Sequence, residues 1–271
     1  MTELGNLTAR HVTSADGTNI AYWRLGSGNS ILFVHGLSGS HVNWQPVAES
    51  LSGEFTACTM DRRGRGASGD GAPYALEREI EDVVAVAETR GRVVVLAHSL
   101  AGPFALEAAM TSNAVRAVIL YEAWPSPMSE MPREVLEGIE RLVSLGRYEE
   151  AFHYGDPPEE IEQTRQLPDY VERVATVHTF PREIRGWERY WQQHPVEDKR
   201  WRALEKPVLL LYGERNSDGM EAPAQRFGER LPQATITVLA GQGHAAYNEA
   251  PYLVAEAVRT WLRNLDGAMD R

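Results

Sequence analysis

Val93-Val94-Val95-Leu96-Ala97-His98-Ser99-Leu100-Ala101-Gly102 decides how the rest of the chain is read. Four apolar residues, three of them β-branched, run into a serine, and a helix-forming segment from Leu100 to Thr111 follows at once. A short unbroken apolar run suits a strand buried on both faces. Ser99 therefore stands at a strand-to-helix corner. Ala97 and Ala101 flank it two residues away on either side, and Gly102 lies just beyond. A side chain on so tight a turn takes a strained backbone, and larger neighbours would collide with strand and helix. The helix start also aims backbone N–H groups at whatever forms beside the serine oxygen.

Outward from this corner, short apolar strands alternate with helices. Thr8–Ser14 and Asn19–Leu25 read as a hairpin around Asp16-Gly17. Ile31–Val34 and Phe55–Met60 are strand candidates on either side of a helix at 41–52, whose Trp44, Val47, Ala48 and Leu51 recur every three or four residues. Leu76–Thr89 reads as an amphipathic helix, and Ala114–Leu120 as a strand ending at Tyr121-Glu122. Such alternation predicts a parallel sheet covered on both faces. Residues 125–203 break it. They are rich in Pro, Glu, Arg and aromatics and contain helix candidates only, at 133–145, 159–166, 169–177 and 182–193. The alternation resumes with Val208–Tyr212, a helix at Ala222–Arg230, Thr235–Leu239 and a closing helix at Pro251–Asn264. Roughly 80 residues is far more than a crossover needs. The expected organisation is an α/β core, 1–124 and 204–271, with a helical lid inserted at 125–203.

Charge and cysteine content bound the partners. A net charge of −11 argues against nucleic acid and anionic membranes. The single cysteine, Cys58, leaves no intrachain disulfide, and no stretch approaches a transmembrane length. A cytoplasmic protein acting on a small-molecule substrate is expected, and a homodimer is compatible with the sequence. No HExxH or Cys/His spacing is present, so neither metal nor cofactor is expected.

Functional groups in such sheets collect beyond the carboxyl ends of the strands. His35-Gly36-Leu37-Ser38-Gly39 follows one strand, Asp61-Arg62-Arg63-Gly64-Arg65-Gly66-Ala67-Ser68 the next, and His244 follows the last within Gly241-Gln242-Gly243-His244. His98, although adjacent to Ser99, is expected to point to the opposite side.

These motifs, in this order, resemble the α/β-hydrolase family. The elbow is similar to its G-x-S-x-G nucleophile turn, with alanine at both glycine positions. The first loop resembles its H-G-x-x-G loop, and the second its D-x-R-G-x-G-x-S loop. The resemblance implies a mostly parallel eight-stranded sheet flanked by helices, and a serine hydrolase. Ser99 would be the nucleophile and His244 its base, with an oxyanion hole from the N–H groups of Leu37 and Leu100. The family's usual acid follows the strand Val208–Tyr212, where this chain has Gly213-Glu214-Arg215-Asn216. Two carboxylates are alternatives to the missing acid. Glu122 closes the strand after the elbow helix, and Asp218 lies two residues beyond Asn216. The substrate pocket is expected among His35, Gly36, Trp124, Met128, Trp187 and Tyr247. A small-to-medium apolar ester is the expected substrate. A carbon–carbon bond hydrolase or lyase using the same site, and a non-catalytic ligand-binding protein, are the alternatives.

Overall fold

Eight strands build one sheet in the computed structural model, which describes residues 8–123, 132–194, 199–231 and 233–269. They are β1 (Arg10–Thr13), β2 (Asn19–Leu25), β3 (Ser30–Val34), β4 (Thr56–Met60), β5 (Val93–His98), β6 (Val115–Tyr121), β7 (Val208–Gly213) and β8 (Ala234–Leu239). Their order across the sheet is β1-β2-β4-β3-β5-β6-β7-β8. β2 runs antiparallel to both β1 and β4, and every later pairing is parallel.

The elbow strand shows why an unbroken apolar run is needed. Val93, Val95 and Ala97 face one apolar cluster, and Val94 and Leu96 face a second on the other side of the sheet. Helices α2 (Leu76–Glu88), α3 (Gly102–Thr111) and α9 (Ser217–Gly228) contribute to the first; α1 (Gln45–Leu51), α10 (Ala246–Glu249) and α11 (Pro251–Met269) contribute to the second. Cys58 sits inside this sheet, and burial pushes its thiol up to about 11. Among the described residues between β6 and β7 the regular elements are helices, α4 (Arg133–Ser144), α5 (Tyr148–Phe152), α6 (Pro158–Arg165), α7 (Tyr170–Thr176) and α8 (Phe180–Gln193), with short 3₁₀ turns.

Local departures from the expected elements have local causes. The helix predicted at 41–52 starts as a 3₁₀ turn, His41–Trp44, closed by a reciprocal capping box between Ser40 and Asn43. Helix α5 has five residues, too few to show a period. Among the described residues no helix is long and apolar enough to cross a membrane.

The Asp61–Ser68 loop carries an unusual charge inventory into the interior. Arg62, Arg63 and Arg65 are all at most 2% exposed. Arg63 pairs with Asp82 at 2.7 Å and Asp16 at 2.8 Å. Arg62 meets Glu79 and Glu183, both at 2.7 Å, and Arg65 meets Glu183 at 2.5 Å. Glu183 belongs to α8, so this cluster pins the inserted helices to the core. Burial acts against the charge on both Arg62 and Arg65. Two carboxylates more than offset it at Arg62, whose pKa ends above the ordinary value. At Arg65 burial, with the charge of Arg62 acting the same way, outweighs Glu183 and Glu79 and leaves the pKa below its ordinary value. Burial also raises Glu183, but the charges of Arg62 and Arg65 outweigh it and hold the carboxyl below the usual carboxylate range.

Removing one member of a buried ion cluster strands its partners. Glu183→Gln is therefore expected to destabilise the fold by about 3–5 kcal/mol at neutral pH, measured by urea unfolding. A depressed folded-state pKa gives stability that is complete above the unfolded value and lost as pH falls through the folded one. The gap between wild type and variant should accordingly close on acidification. A gap that stays constant down to pH 3 would contradict this account.

Candidate active site

Ser99 sits between β5 and the helical turn that leads into α3, with a φ of 54°, in the left-handed region that serine rarely adopts. Close packing holds it there. A Cβ at Gly36 would lie 3.0 Å from the Ser99 Cβ, and one at Gly102 only 1.5 Å from the Ala123 carbonyl oxygen. Glycine at both positions lets the neighbouring loops close in on the turn.

Glu122 follows β6 and also takes a positive φ, 45°. Its carboxylate is surrounded by donors. Oε2 accepts from His244 Nδ1 at 2.6 Å and from Asn216 Nδ2 at 2.9 Å, and Oε1 accepts from the Gly213 N–H at 2.9 Å. Burial raises the Glu122 pKa, but the hydrogen bonds from His244 and Gly213 outweigh it and leave the carboxyl below its ordinary value. Asn216 thus stands at the family's usual acid position as a donor to Glu122. The side chain of Asp218 lies outside the described residues, so that alternative is not compared geometrically.

The loop carrying His244 is braced from below. The Tyr121 hydroxyl donates to the Gly243 carbonyl and accepts from the Ala246 N–H at 3.1 Å. His98 Nε2 donates to the His244 carbonyl at 3.1 Å, and the two imidazoles lie 4.4 Å apart between centroids. Burial, with the His244 charge second, pushes the His98 pKa well down, so its ring stays neutral. The His98 ring packs against Trp44, Tyr121 and Tyr247 of the second apolar cluster, and both His98 and Ser99 border one cavity. The strand ends at His98, and the His244 loop folds over it. With Nδ1 of His244 donating to Glu122, the neutral ring keeps its lone pair on Nε2.

The arginines of the Asp61–Ser68 loop reach this site too. The Gly36 carbonyl accepts from His35 Nδ1 at 3.0 Å, from Arg62 at 3.1 Å and from Arg65 at 3.2 Å. A trans peptide is planar, so a carbonyl drawn toward the arginines turns the Leu37 N–H the opposite way. His35 Nε2 in turn accepts from the Arg62 N–H at 3.1 Å. Burial, then the charges of Arg65 and Arg62, keeps this histidine neutral.

Ser99 and His244 share a cavity of about 230 Å³ with His35, Gly36, Leu37 and Tyr247. Leu100 follows Ser99 in the helical turn, 5% exposed, and its side chain is not among those lining the cavity. Trp124 and Met128 lie outside the described residues. Trp187 is corrected: it does not line this cavity. Glu183 and Trp187 share a face of α8, and the ion cluster at Glu183 turns that face inward. The Trp187 indole joins the apolar cluster that includes Phe104 and Trp201. Asn43, Trp44 and Arg173 line the cavity without having been expected. Arg173 could not be read from sequence, because its place depends on how α7 packs. Among the described residues no group of three or more metal-binding side chains occurs.

The chain as a whole, in sequence and in fold, is similar to known proteins. A hydrolase of 2-(acetamidomethylene)succinate from Mesorhizobium japonicum is 23% identical over 88% of this chain and 89% of its own. A pimeloyl-[acyl-carrier protein] methyl ester esterase from Xanthomonas axonopodis pv. citri is 24% identical over 89% of this chain and 98% of its own. The crystal structure of an alpha/beta hydrolase from Sphaerobacter thermophilus superposes with a TM-score of 0.79 at 29% identity, covering 92% of this chain and 98% of that one. The model of the alpha/beta hydrolase family matches residues 31–257, and with the eight-stranded sheet described above the chain belongs to that family.

Proposed function

We propose that the protein is a serine hydrolase that cleaves a small carboxylic ester through an acyl-enzyme. What carries this reading is the 2.6 Å contact between His244 Nδ1 and Glu122, in a cavity that also holds Ser99. In the first half-reaction Ser99 Oγ attacks the ester carbonyl while His244 Nε2 takes its proton. Glu122 stabilises the imidazolium so formed and fixes the tautomer. The N–H groups of Leu37 and Leu100 receive the developing oxyanion, the former aimed by the arginines behind Gly36. Nε2 then gives its proton to the departing alcohol. In the second half-reaction water enters, loses a proton to Nε2 and releases the acid, and Ser99 regains its proton.

Three further observations support the reading. The cavity, about 230 Å³, suits a small acyl group. The idea of a non-catalytic binding protein drew on the missing carboxylate at position 216, and here the amide of Asn216 holds a carboxylate already beside His244. The esterase named among the relatives favours an ester over other acyl bonds.

Hydrolysis of p-nitrophenyl acetate, followed at 405 nm (an absorbance assay at about that wavelength), is expected to fall about 10³-fold or more in Ser99→Ala. Equal rates in wild type and variant would overturn the proposal. Glu122→Gln should lower kcat by about 10²- to 10⁴-fold, while Asp218→Asn should leave it largely unchanged. The reverse ranking would move the acid to the later loop. Asn216→Asp puts a second carboxylate within hydrogen-bond distance of the first, and like charges raise a carboxyl pKa. The acid limb of the kcat/KM profile should therefore shift to higher pH; a profile identical to wild type would contradict the donor role of Asn216.

A further inference from the structure

We infer that the substrate carries a second group, a free carboxylate, and that Arg173 binds it. The inference rests on the hydrolase reading for where the ester sits. Arg173 lies on α7, in the inserted helices, yet lines the cavity of Ser99 and His244. It is the one Lys or Arg among the residues lining that cavity, in a chain of net charge −11. His35 and His98, also in the lining, are both kept neutral by burial. The guanidinium, ion-paired with Asp169, is thus the permanent cation in the wall of the cavity that holds Ser99 and His244.

Its anchoring leaves part of it free for a ligand. The side chain is 11% exposed. Nε lies 3.0 Å from Asp169 Oδ1, and Nη2 donates to the Tyr247 hydroxyl at 2.8 Å. Asp169 meets the guanidinium through Nε, and its other oxygen accepts from the amides of Asn43 and Asn248. Among the described residues no acceptor takes Nη1. A planar guanidinium presents five N–H donors and prefers to meet a carboxylate with two of them at once. Here Asp169 and Tyr247 fix the stem and one edge of the group, so little side-chain freedom remains to be lost when an anion docks.

A neutral monoester would leave the Nη1 edge of this ion-paired guanidinium without an acceptor in a small cavity, whereas a dicarboxylic acid monoester would supply one. Selectivity for the charged ester follows, because a site with a buried donor edge discriminates against a ligand that leaves that edge without an acceptor.

The test compares chain-matched pairs: monomethyl succinate with methyl butyrate, and monomethyl adipate with methyl hexanoate. Methanol release gives kcat and KM for wild type and Arg173→Gln. Wild type is expected to favour at least one monoester over its neutral partner by tenfold or more in kcat/KM. That ratio should fall about 30-fold in Arg173→Gln, with the loss in KM. A wild-type preference for the neutral esters, or an equal loss on both members of each pair, would overturn the inference. If Arg173→Gln melts early, the double variant Asp169→Asn/Arg173→Gln removes both charges of the pair and carries the same comparison. Calorimetry of succinate and adipate binding to Ser99→Ala separates this inference from the hydrolase reading. If wild type turns over no ester, diacid binding that is lost with Arg173 sustains the carboxylate site while the hydrolase reading falls. Absence of diacid binding overturns the site.

Discussion

Guanidinium groups buried behind the Gly36 carbonyl are the constraint on which the rest of the structure depends. Arg62 and Arg65 donate to that carbonyl from one side and to Glu183 of the inserted helices from the other. Taking such charges out of water is costly, and only a complete set of partners makes it tolerable. The completeness has a structural effect: one peptide of the site and one helix of the insertion are fixed by the same groups. Orientation of the Leu37 N–H is therefore tied to the docking of α8. A helical segment held in this manner behaves as part of the wall of the site.

The second organising feature is the sheet register at the elbow. β5 and β6 pair in parallel with His98 opposite Tyr121. Ser99 and Glu122 are the next residue on each strand, and both turn into the left-handed region. Both preceding side chains, those of His98 and Tyr121, then reach under the His244 loop and bind its backbone. The serine, the carboxylate and the support of the histidine thus all issue from two adjacent strand ends. Backbone strain of this kind persists where the surroundings over-determine it, as Gly36 and Gly102 do by their close approach.

Sequence legibility follows the range of the interactions involved. The elbow, the His35–Gly39 loop and the sheet alternation were readable because each is set by neighbours in the chain: β-branched runs, small residues beside Ser99, glycine where backbones approach. The acid was readable as two alternatives, since the carboxylate that meets His244 depends on which strand ends lie together. Asn216 looked like a lost function, because its donor role exists only through a contact across 94 positions. Trp187 was misplaced for the same reason. Its direction is set by Glu183, which answers arginines more than a hundred residues earlier. Arg173 carries no local signal at all; a lone arginine on a short polar helix is an ordinary surface residue until α7 is laid over the site.

Because the carboxylate that meets His244 stands at the end of β6, Gly213 and Asn216 contribute a backbone and an amide donor to it. The distance between Ser99 and Glu122 is written into hydrogen-bonded rungs of one sheet. Residues 214–220 are consequently released from holding that distance. Provided an amide remains near Gly213, this segment is open to insertion and drift over evolutionary time, and variation in its length would leave the spacing of the reacting groups intact.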